Sequence, residues 1–193
     1  MGRLHRLQFG LIAVALALGF VGTRAYAHTL PISYLFIVTD ADYVHLELSF
    51  NPFELVNISE IDTNKNSRLD PAEIESQGDK ITRLLLENLT LMVDGKKITA
   101  ENAGIAPDAD SHHATLRAHY RVKTRHATIS VESNLQKITS SSHLTQVNCL
   151  RDGKRTLAQI DSQSRKATFE PVAPEQKAAK QPRRSNSTET KKP

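Results

Sequence analysis

The chain has 193 residues with 25 Lys or Arg against 21 Asp or Glu, a length that suits one folded domain with terminal tails. The positive charge lies at the ends: three basic residues precede position 28 and six follow position 170, which leaves 16 basic and 19 acidic residues between them. This balance argues against nucleic-acid binding by the domain, and the single cysteine, Cys149, excludes an internal disulfide.

The first 27 residues have the pattern of a secretory signal peptide. A basic start with Arg3 and Arg6 precedes an apolar run from Phe9 to Val21. Ala25-Tyr26-Ala27 then offers small residues at the two positions that a signal peptidase reads. We therefore expect a periplasmic or secreted protein whose mature chain starts near His28 and has no membrane span after cleavage. An uncleaved anchor is the alternative.

The sequence from 33 to 50 predicts a half-buried β-hairpin. Ser33 to Val38 is rich in aromatic and β-branched residues, and Asp40-Ala41-Asp42 interrupts this run. Apolar and polar residues then alternate from Tyr43 to Phe50, which is typical of a strand with one buried face.

The next segment, Asp62 to Glu73, has the ligand spacing of an EF-hand calcium loop. In such a loop, positions 1, 3 and 5 supply side-chain oxygens, position 7 a backbone carbonyl, position 9 a contact through water and position 12 a bidentate carboxylate. These positions hold Asp62, Asn64, Asn66, Arg68, Asp70 and Glu73. Calcium takes six to eight oxygen ligands, so we predict that these residues bind Ca²⁺, Arg68 through its carbonyl.

One position departs from the EF-hand pattern. Ser67 stands at loop position 6, where glycine normally provides a sharp turn at positive φ. We therefore expect weak binding, with a dissociation constant of roughly 10⁻⁴ to 10⁻³ M, as in extracellular calcium modules. Since only one such loop is visible, a structural role is favoured over a sensor, and the alternative is a degenerate loop that keeps its shape without metal.

Helical signals flank the calcium loop. Before it, Leu55, Ile58 and Ile61 recur every three residues. After it, Asp70 suits an N-cap, Pro71 the first helical position and Glu73 the capping-box position. The pattern predicts a helix-loop-helix insert at 52–89, whose second helix is kinked or restarted at Gly78-Asp79 and continues an apolar face through Ile74, Ile81, Leu85 and Leu89.

Short β signals return after the insert. We predict a hairpin over 90–99 with Asp94-Gly95 as its turn, a loop over 101–111, strands over 116–122 and 128–131, a hairpin over 144–160 with its turn at 151–154, and a last strand over 167–169. Around eight short strands favour a mainly β fold, an antiparallel immunoglobulin-like sandwich over 28–170 carrying a single EF-hand.

The polar, basic segment 171–193 is predicted to be a disordered tail.

Three histidines suggest an alternative function, and the sequence offers no motif for catalysis. After cleavage, the amine and imidazole of His28 could chelate copper or nickel together with His112 and His113, and this is the alternative function. No nucleophile with a recognisable base, phosphate loop or Cys/His zinc spacing is present, so we predict neither an enzyme nor catalytic residues. We expect calcium as the ligand, an envelope protein as a candidate partner, and burial of Cys149 within a strand.

The chain resembles the exported N-terminal domain of bacterial HupE/UreJ-type membrane proteins. The resemblance covers roughly 27–170 and depends on the mature start Ala27 to Leu35, the insert carrying Asp62 to Glu73, and the hairpin around Asp152-Gly153-Lys154. It implies an extracytoplasmic bacterial β domain with a calcium loop. Those proteins continue into membrane helices and are associated with nickel handling, whereas this chain continues into a polar tail, so the resemblance implies no transport activity here.

Overall fold

The computed structural model describes residues 31–55, 60–66, 69–109 and 113–171. The predicted signal peptide 1–27 lies outside these ranges, and so does the predicted tail apart from Pro171. Within the described ranges, no helix combines the length and the apolar character needed to cross a membrane.

The described residues are mainly β. The strands in chain order are β1 (Ile32–Thr39), β2 (Tyr43–Phe50), β3 (Leu89–Val93), β4 (Lys96–Lys97), β5 (Asn102–Pro107), β6 (Ala114–Arg121), β7 (Ile129–Ser133), β8 (Leu144–Arg151), β9 (Lys154–Ile160) and β10 (Lys166–Phe169). Between β2 and β3 the described residues include two α-helices, α1 (Pro71–Ser76) and α2 (Gly78–Asn88), and 3₁₀ turns are described at Pro52–Leu55 and Leu135–Lys137.

The strands form two sheets. One sheet has six strands in the order β5-β6-β2-β1-β8-β9, and the other has four in the order β10-β7-β3-β4. The predicted first hairpin is present, because β1 and β2 pair antiparallel with Ile37 opposite Leu46. Along β1, Leu35 and Ile37 are buried whereas Tyr34, Phe36 and Val38 are exposed, as expected for a strand with one face on the core.

Both sheets and both helices contribute to one hydrophobic core. The six-stranded sheet supplies inward-facing side chains from its central strands, the four-stranded sheet supplies them from β3, β7 and β10, and the helices add the apolar face predicted from the sequence. The core therefore includes Leu35, Ile37, Val44, Leu46, Leu48, Leu116, Val147, Leu91, Ile129, Val131, Phe169, Ile74, Ile81 and Leu85. Cys149 is buried within it, and burial raises the pKa of its thiol to about 11 despite the nearby charge of Arg151.

The second helix of the predicted insert begins as the sequence indicates. The Asp70 side chain accepts a hydrogen bond from the backbone N–H of Glu73, and the Glu73 side chain accepts one from the backbone N–H of Asp70, which is a complete capping box. The helix is interrupted at Gln77, so α1 and α2 are separate, in agreement with the restart predicted beside Gly78.

The first helix of the predicted insert is not shown. Pro52–Leu55 forms only a 3₁₀ turn, residues 56–59 lie outside the described ranges, and Glu60 and Ile61 form a turn. Leu55 and Ile61 are nevertheless fully buried. Both residues therefore pack into the core, and the described residues contain no α-helix before the loop.

Two expectations about the strands were wrong. The segment predicted as a loop over 101–111 contains β5, which pairs antiparallel with β6 at the edge of the six-stranded sheet. The loop was predicted because Gly104 and Pro107 are residues typical of loops. An edge strand such as β5 nevertheless tolerates both residues. The sheet is also not purely antiparallel, since β1 and β8 pair parallel with Ser33 beside Thr145. Sequence periodicity does not encode the direction of a pairing between strands so far apart.

Both predicted two-residue hairpin turns are present. Asp94 and Gly95 have φ values of 49° and 74°, and Asp152 and Gly153 have 48° and 74°. Positive φ at both central residues is the type I′ pattern, whose twist matches that of the strands.

Replacing Gly95 with alanine should lower the free energy of unfolding by about 1 kcal/mol, because only the positive φ opposes the side chain. A Cβ at Gly95 meets no atom within 4 Å, so no clash adds to this cost. Gly104→Ala is the matched control, since its Cβ also meets nothing within 4 Å and its φ is not positive. Urea unfolding of both variants checks this, and equal stabilities would contradict it.

Candidate functional site

The structure places five of the six predicted calcium ligands, whereas Arg68 and its neighbour Ser67 lie outside the described ranges. The two end carboxylates are buried, with Asp62 6% and Glu73 4% exposed. Asn64 and Asn66 are exposed, and Asp70 is half-buried at the N-cap of α1. The loop thus presents a buried carboxylate at each end and amide groups facing solvent between them.

The Glu73 carboxylate ties the end of the loop to its beginning. Its Oε1 accepts hydrogen bonds from the backbone N–H of Thr63 at 2.9 Å, the Thr63 hydroxyl at 3.0 Å and the backbone N–H of Asn64 at 3.1 Å. Its Oε2 accepts from the backbone N–H of Asp70 at 3.3 Å. One side chain at the start of α1 therefore brings positions 2, 3, 9 and 12 of the loop together.

These hydrogen bonds also decide the charge of Glu73. Burial favours the neutral acid, but the donors from Asn64, Asp70 and Thr63 outweigh it and hold the pKa of this carboxyl below its usual value. Glu73 is therefore an anion at neutral pH, which is the state that a metal ligand needs.

The first half of the loop folds around its own polar side chains. The backbone N–H of Asn66 donates to Oδ1 of Asp62 at 3.1 Å and to Oδ1 of Asn64 at 3.0 Å. Lys65 has a φ of 57°, which turns the chain sharply at loop position 4. The Asn64 side-chain amide donates to Oδ2 of Asp70 at 3.2 Å. The first, third, fifth and ninth positions thus lie along one hydrogen-bonded path.

The chemistry of this donor set fits a hard cation. All predicted side-chain ligands offer oxygen atoms. The carboxylates of Asp62 and Glu73 supply negative charge from opposite ends of the loop. Over the described part of the chain, no three Asp, Glu, His or Cys side chains form a metal-binding group by themselves. Binding at this loop would therefore need the amide oxygens of Asn64 and Asn66 beside the carboxylates.

Of the three histidines of the alternative transition-metal function, the structure describes one, His113, so this alternative stays a prediction. His28 and His112 lie outside the described ranges. His113 is half-buried, and its carbonyl accepts a hydrogen bond from the backbone N–H of Asp108 at 2.9 Å.

Sequence reasoning missed a buried polar network between Ser33, His143 and Glu54. Nε2 of His143 lies 3.0 Å from Oγ of Ser33, and Nδ1 lies 2.5 Å from Oε2 of Glu54. The Ser33 hydroxyl donates onward to Oγ1 of Thr145 at 3.1 Å. Ser33 and Thr145 are register partners on the core faces of β1 and β8, which a sequence pattern of apolar alternation does not indicate.

This network has the connectivity of a Ser-His-acid triad without its accessibility. Ser33 is 0% exposed and the His143 side chain is 2% exposed, so no substrate reaches the hydroxyl in this structure. A nucleophile must be open to its substrate. The geometry therefore assigns the three residues to the support of the fold.

A sizeable cavity in the described part of the chain lies away from the loop. It has a volume of about 590 Å³ and lies between α2, β3 and β5, with the buried residue Tyr120 at its wall. Burial raises the pKa of the Tyr120 phenol to about 12, so it stays neutral. None of the predicted calcium ligands lines this cavity.

Comparisons with known proteins identify no family. No family model matches the chain, and no curated protein matches it. Among solved structures, the chain is similar to a marsupial T cell receptor, with 16% identity and a TM-score of 0.32. That match covers 68% of this chain and 39% of the receptor chain, so the chain spans well under half of the protein it matches.

Proposed function

We propose that this protein binds one calcium ion outside the cytoplasm, at the loop from Asp62 to Glu73. The ligands are the side chains of Asp62, Asn64, Asn66, Asp70 and Glu73, with the Arg68 carbonyl completing the set predicted from the sequence. The proposal assigns no catalytic residue. The exported location and the likeness to HupE/UreJ-type extracytoplasmic domains stay predictions from the sequence.

The observation that carries the proposal is the position of Glu73. Its carboxylate, 4% exposed, accepts hydrogen bonds from Thr63 and Asn64 at the opposite end of the loop. The residue predicted to be the bidentate ligand thus already folds back on the loop start, where Asp62 is buried. Calcium binding would exchange the hydrogen bonds of the Glu73 carboxylate for the ion, within a loop whose two ends are already held together, which reduces the cost of ordering it.

The bound ion would act as a structural clamp. Calcium would neutralise two buried carboxylates and link the loop to α1, whose capping box uses the same Asp70 and Glu73. Because the ion binds the folded chain, it should stabilise the fold by about 1.4 kcal/mol at a concentration tenfold above the dissociation constant. A single EF-hand in an immunoglobulin-like sandwich belongs to the same proposal, which the two sheets and their common core support.

Calorimetric titration of the full chain with Ca²⁺ tests this function. We expect one site with a dissociation constant of roughly 10⁻⁴ to 10⁻³ M and at least about tenfold weaker binding by Glu73→Gln. Glu75→Gln is the matched control, since Glu75 lies on the same helix and is exposed. Asn66→Asp adds a carboxylate at loop position 5 and should tighten binding.

The Asn66→Asp variant separates loss of the site from loss of the fold. Glu73→Gln also removes part of the capping box, so weaker binding by this variant could arise from a weaker helix start. A substitution that tightens binding has no such explanation. If the natural chain and Asn66→Asp both show no heat at millimolar calcium, the proposed function is wrong.

A further inference from the structure

A pair of histidines lies on the outer face of the six-stranded sheet. His45 on β2 and His119 on β6 are direct partners in the antiparallel register. The His45 side chain is 43% exposed, and His119 is exposed too. Neither residue belongs to the calcium loop or to the buried network around His143.

The two imidazoles face each other through the same type of nitrogen. Nδ1 of His45 lies 2.7 Å from Nδ1 of His119, and the ring centroids are 4.8 Å apart at an interplanar angle of 82°. At that distance, two lone pairs would repel each other, and two N–H groups would clash. One Nδ1 therefore carries a proton and donates it to the lone pair of the other.

A metal ion can replace that shared proton. Imidazole nitrogens bind zinc at about 2.0–2.1 Å, so two of them on one ion are about 2.9 Å apart at a right angle and about 3.3 Å apart in a tetrahedron. The observed 2.7 Å separation needs to open by about 0.2 Å for the right angle and by about 0.6 Å for the tetrahedron. Neighbouring strands hold both side chains, which limits the entropy lost on binding.

Asp40 supports the histidine tautomer that such a site requires. Its Oδ1 accepts hydrogen bonds from the backbone N–H groups of Asp42 and Tyr43 at 2.9 and 2.8 Å, which fixes the carboxylate in the β1–β2 turn. Its Oδ2 lies 3.7 Å from Nε2 of His45, too far for a hydrogen bond but close enough to favour a proton there. A proton on Nε2 leaves the Nδ1 lone pair of His45 available as a ligand.

Open space lies beside His119, and the nearby charges are paired. A groove of about 260 Å³ runs along β5 beside His119, where Gly104 has no side chain. The charged neighbours on this face are paired: Arg117 with Glu47 at 3.3 Å, and Arg121 with Glu101 at 3.5 Å. These pairs reduce the repulsion that two arginines would otherwise exert on a cation.

We propose that His45 and His119 form a surface site for one divalent transition-metal ion of the kind that prefers imidazole, such as Zn²⁺ or Cu²⁺. Both Nδ1 atoms bind the ion, and water completes its coordination. The proton between the rings moves, by exchange with water, from Nδ1 to Nε2 of the imidazole that carried it, so that both Nδ1 lone pairs face the ion and each neutral imidazole keeps one proton, on Nε2. Copper should bind more tightly than zinc, in accordance with the general order of affinities.

Nuclear magnetic resonance of the full chain, with ¹⁵N-labelled histidine and added Zn²⁺, tests the site directly. We expect the Nδ1 signals of His45 and His119 to shift together and saturate at one ion, with both Nε2 atoms protonated in the zinc-bound state. His45→Asn should require at least tenfold more zinc to shift Nδ1 of His119, and His119→Asn should do the same for His45. Amide spectra of both variants report whether the fold is retained.

His126→Asn is the matched control, since His126 is an exposed histidine outside this pair. This substitution should leave the zinc concentration at half-saturation within twofold of the natural chain. Unmoved Nδ1 signals at saturating zinc would overturn the proposal. The proposal would also be overturned if zinc shifted the Nδ1 signal of one histidine equally well in the variant that lacks the other histidine. The calcium loop shares no ligand with this pair, so either proposal can fail without the other.

Discussion

Replacing His143 with alanine is expected to lower the free energy of unfolding by about 3–5 kcal/mol, the cost of removing a buried ring together with two of its hydrogen bonds. The imidazole joins Ser33 of β1 to Glu54 of the 3₁₀ turn after β2. Its loss would leave the Glu54 carboxylate, 12% exposed, and the Ser33 hydroxyl without their main partner. Unsatisfied buried polar groups add to the cost of the cavity that the ring leaves.

Urea unfolding followed by circular dichroism measures this effect as a lower transition midpoint at unchanged slope. His126→Ala is the control, because His126 is exposed and its removal should change stability by no more than about 0.5 kcal/mol. Combining His143→Ala with Glu54→Gln should cost less than the sum of the single variants, since both act on one contact. A loss below about 1 kcal/mol for His143→Ala would show that the network does not support the fold.

Replacing Arg151 with methionine should lower the free energy of unfolding by about 2–4 kcal/mol, because two backbone carbonyls would lose a charged donor. Arg151 ends β8, and its side chain is 4% exposed. Its guanidinium donates to the carbonyl of Ala127 at 2.7 Å and to the carbonyl of Thr124. These carbonyls belong to the connection from β6 in one sheet to β7 in the other, so Arg151 fixes the crossing between the sheets.

The matched control for this variant is Arg155→Met, since Arg155 is exposed on the neighbouring strand β9. It should change the free energy of unfolding by no more than about 0.5 kcal/mol. Hydrogen exchange gives a second measurement. The backbone N–H of Ala127, which donates to the Thr124 carbonyl at 3.0 Å, should lose protection in Arg151→Met and keep it in the control. Equal stabilities of the two variants would contradict the role assigned to Arg151.

Features that depend on near neighbours in the chain could be predicted from the sequence. The capping box needs only Asp70 and Glu73 three residues apart, and the Asp94-Gly95 and Asp152-Gly153 turns need only residues that accept positive φ. The alternation in β2 likewise identifies its buried face. In each case the energy that decides the structure comes from groups within a few residues of each other, which a sequence pattern records.

In the candidate calcium loop, too, only the features that depend on near neighbours in the chain could be predicted. Its ligand positions could be assigned from spacing, because they lie within twelve residues. The sequence could not show that Glu73 contacts Thr63 and Asn64, since that contact requires α1 to be placed against the loop start. The entering helix stays a prediction, because residues 56–59 lie outside the described ranges. The structure shows only that Leu55 and Ile61, on either side of this gap, are both buried in the core.

The sequence by itself determined the mainly β composition, the hairpin turns, the start of α1 and the oxygen-rich loop, because local backbone preferences and side-chain chemistry act over a few residues. Only the tertiary structure decided that β1 lies parallel to β8, that β5 adds an edge strand, and that His143 is buried between Ser33 and Glu54. It also decided that His45 faces His119. Apart from the pairing of β5 with β6, these contacts join residues 70 or more positions apart, and packing of the two sheets on one core selects them.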